Sequence, residues 1–370
     1  MLQVIKKRRI VLASVLKPVD DTRMLEKIGA TLADSGEYKV SIIGYPSTGC
    51  SRHPEIELFP LPKFERLSFK RLIVPWIIFK NINQVKPELI IINTPELLIV
   101  AILNRIFFGR IIIYDVLENY YRNIRFTQAF PSILRPVLAF MVRLVEFIAS
   151  PLIHHFLLAE KGYNQELGFA RPHTVLQNKL PKSVASTLTS NRLSGYSKLL
   201  FSGTLAASSG VFEAIKLCKG LHEVDDSYSL TIIGYCALPE VLSEIKKDIN
   251  NIPFIKLIGG DSLVPHNKIL DEISKADRGI VIYPPNPSTQ SSIPTKLYEY
   301  LALQLPVLIR HTTESHQLVE VCKAGIVLND VPDYNSLSQA IKNQRLAPII
   351  PDSIYWESSV ENFINCLKLL

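Results

Sequence analysis

Short runs rich in isoleucine, valine and leucine alternate with longer amphipathic stretches along nearly the whole chain. A run that is apolar on both faces must be covered on both faces, which is the signature of parallel strands flanked by helices. Strands are expected at 9–15, 39–44, 88–93, 111–116, 153–158 and 173–177, with helices between them, for example at 21–34 and 133–149. This series alone is enough for one doubly wound domain.

The alternation then restarts. Residues 183–197 carry few large apolar side chains and many serines and threonines, and read as a linker. A second series of strands is expected at 198–201, 230–234, 255–258, 279–283, 306–309 and 325–328. A chain of 370 residues exceeds the size at which one hydrophobic core stops growing, about 250 to 300 residues. The expected class is therefore α/β, with two Rossmann-like doubly wound domains facing a cleft: 1–182 and 198–353. The segment 354–370 has apolar residues at helical spacing and is expected to pack back on the first domain. Ligands bind at strand ends in open parallel sheets, so the expected machine holds two substrates.

Composition closes off several other classes. With 47% hydrophobic and 20% charged residues and no low-complexity tract, the chain is globular. The uncharged window 147–159 contains Pro151, His154 and His155, and is too short and polar for the roughly 20 residues a membrane span needs. The run 10–16 after Lys6, Lys7, Arg8 and Arg9 imitates a secretory signal, but it is short and Lys17-Pro18 ends it, so it reads as a first strand of a cytoplasmic protein. Five scattered cysteines suggest no disulfide framework and no zinc site. Adjacent His154 and His155 would point to opposite faces of a strand, one buried and one outward. The formal charge of +7 favours an anionic partner, while no nucleic-acid-binding motif is visible.

One segment carries a specific chemical suggestion. Ser291-Ser292-Ile293-Pro294-Thr295-Lys296-Leu297-Tyr298-Glu299-Tyr300-Leu301-Ala302 follows an expected strand and loop. Serines and a proline before good helix formers mark a helix N-terminus. Lys296 falls in the first turn, where a cation opposes the helix dipole unless an anion binds at the same spot. Lys296 and free backbone N–H groups would then converge on a phosphate. Glu299 shares a helix face with Lys296 and is placed to accept hydrogen bonds from two neighbouring ribose hydroxyls. The bland reading, a Lys–Glu pair on a solvated face, stands beside this one.

The same segment, with Leu305-Pro306-Val307 after it, resembles the Pro-x-Lys-x-x-Glu signature of the C-terminal domain of glycosyltransferase family 4. Three further stretches agree in order. Leu199 to Leu205, with Gly210 to Ile215 following, resembles the first strand, glycine turn and helix of the donor domain. Tyr114-Asp115-Val116-Leu117-Glu118-Asn119-Tyr120 resembles an acceptor-domain element, and His155 to Glu160 with Val175 to Asn178 resembles the pair that closes that domain. The resemblance implies a GT-B fold. It also implies donor contacts from Gly203, Thr204, Ser291, Thr295, Lys296 and Glu299, and an acid/base or acceptor-holding role for Glu118. Lys17, Arg23 and Asn119 would line the acceptor side. Asp21 or Thr22 is expected to cap the helix after the first strand, and Asp115 to be structural.

Departures qualify the resemblance. The family's second glutamate, eight positions before the ribose-binding one, is Ser291 here. Thr204 to Val211 lacks the expected cations, Leu117 replaces a histidine and Gln304 a glycine. No Asp-x-Asp occurs, so neither a metal nor another cofactor is expected, and stabilising the leaving diphosphate would fall to Lys296 and helix dipoles.

The implied activity is that of a retaining, metal-independent hexosyltransferase. It would move sugar from a nucleotide-sugar donor to a glycan or lipid-linked acceptor, in cell-surface polysaccharide biosynthesis. The stretch 63–80, which mixes five basic residues with large apolar ones and Trp76, suits a segment lying in a headgroup layer at the inner face of a membrane. It suits equally a core helix whose lysine stems cover apolar surface. Two rivals remain at this stage: a sugar-nucleotide epimerase on the same fold, and a catalytically silent sugar-nucleotide-binding partner. A dinucleotide dehydrogenase is disfavoured, because neither half has Gly-x-Gly-x-x-Gly after its first strand.

Overall fold

The computed structural model describes residues 7–47, 52–64, 68–127, 130–188, 195–287, 292–310, 313–328, 332–344 and 348–370. They divide into two compact units, Met1–Gln177 with Ser359–Leu370, and Asn178–Ser358.

In the first unit the apolar runs form β1 (Arg8–Pro18), β2 (Tyr38–Tyr45), β3 (Ile56–Pro60), β4 (Leu89–Ile92), β5 (Ile111–Val116), β6 (His155–Leu158) and β7 (His173–Val175). They pair in parallel in the order β3-β2-β1-β4-β5-β6-β7. Burial explains the central places of β1 and β4: Ile10 to Ala13 and Leu89 to Ile92 are almost wholly inaccessible. The order reverses direction between β1 and β4, so the crevice at the switch point opens beside their C-terminal ends. β3 is not among the expected strands. It is an edge strand in which Ile56 alone is buried, so no continuous apolar run announces it.

Asp21 caps the helix after β1, accepting from the backbone N–H groups of Arg23 and Met24 at 3.0 and 3.2 Å. The helix begins with wide π-type turns over Thr22–Gly29 and continues over Ala30–Asp34. Arg23 in its first turn is 3% exposed. It clasps Asp115 at the end of β5 with Nε–Oδ2 at 2.8 Å and Nη2–Oδ1 at 2.6 Å, and donates from Nη1 to the Leu176 carbonyl at 2.9 Å. One guanidinium thereby ties the helix after β1 to β5 and to the chain after β7. Only His155 lies in β6, and His154 just before it does not simply face outward. His155 is buried with Nε2 2.9 Å from Thr174 Oγ1, and His154, half-buried, accepts from the Ile112 N–H. The C-terminal helix Glu357–Lys368 groups with this unit from Ser359 onward, buries Phe363 and pairs Lys368 with Glu37 at 3.1 Å.

The second unit holds β8 (Lys198–Thr204), β9 (Ser229–Tyr235), β10 (Ile255–Gly260), β11 (Arg278–Val281), β12 (Val307–Arg310) and β13 (Gly325–Leu328). They are parallel in the order β10-β9-β8-β11-β12-β13, and the switch point lies between β8 and β11. One core cluster includes Leu200, Leu297, Tyr300 and Leu301, and another Phe201, Val211, Ile232 and Ile280. Part of the stretch expected as a linker is helical, Lys182–Leu188. Its serines and threonines conceal Ala185, which joins a core cluster with Leu180. Residues 189–194 lie outside the described ones.

Candidate functional site

At the C-terminal ends of β8, β9 and β10, Gly203 stands opposite Gly234 and Gly234 opposite Gly259. Gly203 has φ +99°, and a β-carbon on Gly234 would sit 1.7 Å from the Gly203 carbonyl oxygen, so both positions exclude other residues. The result is a ledge of bare backbone beside the switch point. The helix Thr295–Ala302 is fixed next to it by Tyr300. The Tyr300 hydroxyl accepts from the Ser202 N–H at 3.0 Å and lies 2.9 Å from Ser202 Oγ.

That anchoring directs Lys296 inward. The residue is only 6% exposed, and its Nζ lies 3.7 Å from the centroid of Phe201 and 5.3 Å from that of Tyr283. Its Cε stands 3.7 Å from where a Gly203 β-carbon would be. Among the described residues Nζ has no hydrogen-bond partner. Ring faces supply cation–π attraction, but they cannot replace the water an ammonium loses on burial. Burial therefore pulls the Lys296 pKa down to about 7, against the opposing pull of Glu299. A buried amine at a helix N-terminus beside a glycine ledge, without a hydrogen-bond partner among the described residues, is an arrangement suited to an anion.

Glu299, one turn further, is 8% exposed and holds His266 Nε2 at 3.0 Å. His266 begins the helix His266–Lys275 and was not anticipated, since a lone histidine after Val264-Pro265 has no pattern to mark it. Thr295 Oγ1 accepts from Asn178 at 3.2 Å. Thr204 is exposed at the end of β8, and its carbonyl accepts from Ser209 Oγ at 2.7 Å. Arg310, also unanticipated, ends β12 and donates to the Tyr283 carbonyl at 3.3 Å; a cation closing an apolar strand was its available signal. Gly203 and Lys296 are thus brought together, Thr295 and Glu299 lie on the same helix as Lys296, and Ser291 lies outside the described residues.

Because a diphosphate would hold Lys296 protonated, donor affinity is expected to depend on pH. Below about pH 7 the free protein already carries the charge; above it binding must take up a proton, and affinity falls about tenfold per unit. Calorimetry with a nucleotide sugar at about pH 6 and about pH 8 checks this, since its diphosphate diester stays ionised throughout.

In the first unit Glu118 is exposed just past β5 and accepts from Asn123 Nδ2 at 2.5 Å. Lys17, at the end of β1, lies 3.7 Å from Asp21. The Asp21 charge holds its ammonium above the ordinary value, and Glu118 adds to this. Lys17 and Glu118 therefore share one electrostatic neighbourhood. Arg23, expected on the acceptor side, instead spends its donors inside the unit on Asp115 and Leu176. Asn119 is likewise turned inward: 4% exposed, it caps the helix Tyr120–Phe126, donates to Glu166 at 2.7 Å and accepts from Arg143 at 2.7 Å. A surface concavity of about 800 Å³ lined by Lys7, Arg9, Lys39, Glu55 and Glu57 lies at the opposite, N-terminal ends of β1 to β3. It is open and crossed by a 3.3 Å Lys7–Glu55 ion pair, and it holds none of these groups.

No protein-family profile matches the chain, and a search of curated proteins by sequence finds no match. Solved structures do match over nearly its full length. Sucrose-phosphate synthase from Thermosynechococcus elongatus has a TM-score of 0.69 at 14% identity, covering 98% of this chain and 99% of its own. An E. coli trehalose-6-phosphate structure bound with UDP-2-fluoro glucose has 0.65 at 13% identity, over 98% and 99%. A UDP-forming α,α-trehalose-phosphate synthase from Burkholderia xenovorans has 0.63 at 11% identity, again over 98% and 99%. With its two parallel, helix-flanked sheets, this chain has the GT-B fold of these glycosyltransferases.

Proposed function

We propose that the chain is a glycosyltransferase whose second unit holds a nucleotide-sugar donor and whose first unit takes the acceptor. The observation that supports this is Lys296, a buried amine without a hydrogen-bond partner among the described residues. Keeping such a group costs stability unless an anion meets it during function. In this reading the donor diphosphate lies over the Gly203 ledge against Lys296 and the N-terminal N–H groups of Thr295–Ala302. Glu299, oriented by His266, receives the ribose hydroxyls. As the glycosidic bond breaks, negative charge grows on the departing diphosphate, and Lys296 stabilises it from a fixed position. This leaves no need for a metal, in keeping with the absence of Asp-x-Asp from the sequence. A uridine diphosphate donor is favoured by the fold relatives described as UDP-forming or bound with UDP-2-fluoro glucose.

Glu118 is the residue proposed to meet the acceptor hydroxyl, with Lys17 beside it. The transfer proposed is a retaining hexosyl transfer to a glycan or lipid-linked acceptor in cell-surface polysaccharide synthesis, on the inner face of the membrane. The 63–80 stretch is the membrane contact first suggested by sequence. Its Val74 and Ile78 are core residues, whereas Leu72, Ile73 and Trp76 are exposed.

Glu299→Ala tests the donor reading. Loss of charged-group hydrogen bonds to ribose should weaken UDP-glucose binding about 10- to 100-fold by calorimetry, with the circular dichroism unchanged. An unaltered affinity in a folded variant would remove the ribose-binding role.

A further inference from the structure

The helix Arg135–Ala149 of the first unit is inside out. A surface helix normally turns its polar residues to water and its apolar stripe to the core. Here the polar residues point inward. Glu146 is 2% exposed and accepts from the Tyr114 hydroxyl at 3.1 Å, and Arg143 donates to the buried Asn119 at 2.7 Å. Ala139 and Ala149 are the apolar side chains it buries fully. The outward face carries Val137, Phe140, Met141, Leu144, Phe147 and Ile148, between 42% and 62% exposed. Their spacing of three, four and seven residues makes them one stripe.

Neighbouring helices continue it. Leu98–Phe108, which packs against both Arg135–Ala149 and Val74–Val85, exposes Ile106 and Phe107 by 61% and 69%, and Trp76 is 56% exposed. Contiguous apolar surface of this extent marks an interaction site. No described helix is long and apolar enough to cross a membrane.

Charge selects the partner. Between residues 68 and 150 there are ten basic and five acidic residues, so +5 of the chain's formal +7 falls in the stretch that builds this face. Pairing and burial remove charges of both signs: Glu96 pairs with Arg71, Asp115 with Arg23 and Arg122 with Glu166, while Glu146, beside Arg143, and Arg110 are buried. This leaves Lys80, Lys86, Arg105, Arg125 and Arg135 against Glu88 and Glu118. A second copy of the same face would oppose one cationic surface to another. An apolar face with an exposed tryptophan, built by a stretch of net positive charge, fits an anionic headgroup layer.

We propose that the outward face of Arg135–Ala149, continued by Phe107 and Trp76, docks in the plane of an anionic phospholipid bilayer. This extends the contact from Trp76 in the 63–80 stretch to the helix Arg135–Ala149. It rests on the first unit alone, so it fails or holds separately from nucleotide binding by the second.

Flotation of the full chain with phosphatidylcholine vesicles, with and without phosphatidylglycerol, tests it. The protein should float with the anionic vesicles and partition about tenfold less onto neutral ones, and Phe140→Ser/Phe147→Ser should lower anionic binding by about tenfold. Because both side chains are exposed, the double variant should keep its circular dichroism and its UDP affinity. Failure to bind anionic vesicles, equal binding to both compositions, or binding unchanged in the variant would overturn the proposal. So would a stable dimer in vesicle-free light scattering that the double variant abolishes.

Discussion

Lys296→Met is expected to raise the melting temperature of the free protein while removing its affinity for a nucleotide diphosphate. Both effects come from one desolvated charge. In the folded chain the Lys296 pKa is about 7 against 10.5 in an unfolded one. Between those values the unfolded state binds more protons, so this group's contribution to stability improves as pH rises from about 7 toward 10.5, and its full penalty applies below 7. Methionine fills the space between Phe201 and Tyr283 without a charge to strand. A net gain of about 2 kcal/mol corresponds to roughly 4 to 8 °C for a unit of this size. Diphosphate affinity should meanwhile fall about 100-fold or more, the scale of losing a charge-assisted contact in a dry site. The stabilisation should shrink in scans taken above pH 7. A lysine with a purely structural role would show a lower melting temperature on substitution.

Arg23→Ala is expected to have the opposite effect on stability. Breaking a buried, bidentate ion pair leaves Asp115 charged and unpaired among β-strand ends, a loss of about 3 to 5 kcal/mol. The Leu176 carbonyl loses its donor as well. Urea unfolding of the first unit should show the lowered midpoint, and donor binding by the second should persist where the variant remains folded. A near-neutral substitution would return Arg23 to a role in ligand contact.

These two residues illustrate how far sequence reasoning reaches. The parallel sheets were legible because strands buried on both faces are apolar, as β4 is throughout and β12 is up to Arg310. β3 escaped because an edge strand needs only one buried residue, and Lys182–Leu188 because its hydroxyl side chains imitate a linker. Lys296 stood out in the sequence because a cation in a first helical turn conflicts with the local field, a conflict visible within a few residues. Arg23 shows no such local sign. Its partner is 92 residues away, so a charge in a loop after a strand read as a ligand contact. His266 and Glu299 are separated by 33 residues and meet only through the packing of their helices. The same holds for the Arg135–Ala149 helix, whose periodicity gives a stripe but not the direction in which the stripe faces.

The central claim is that the ledge at Gly203 and the ammonium of Lys296 together hold a diphosphate. Titration calorimetry of the unaltered chain with UDP-glucose and with uridine, each in buffers of two ionisation enthalpies near pH 8, tests it most directly. UDP-glucose should bind saturably with uptake of close to one proton, and uridine far more weakly and without proton uptake. Equal affinities for the two ligands, or UDP-glucose binding without proton uptake, would contradict it.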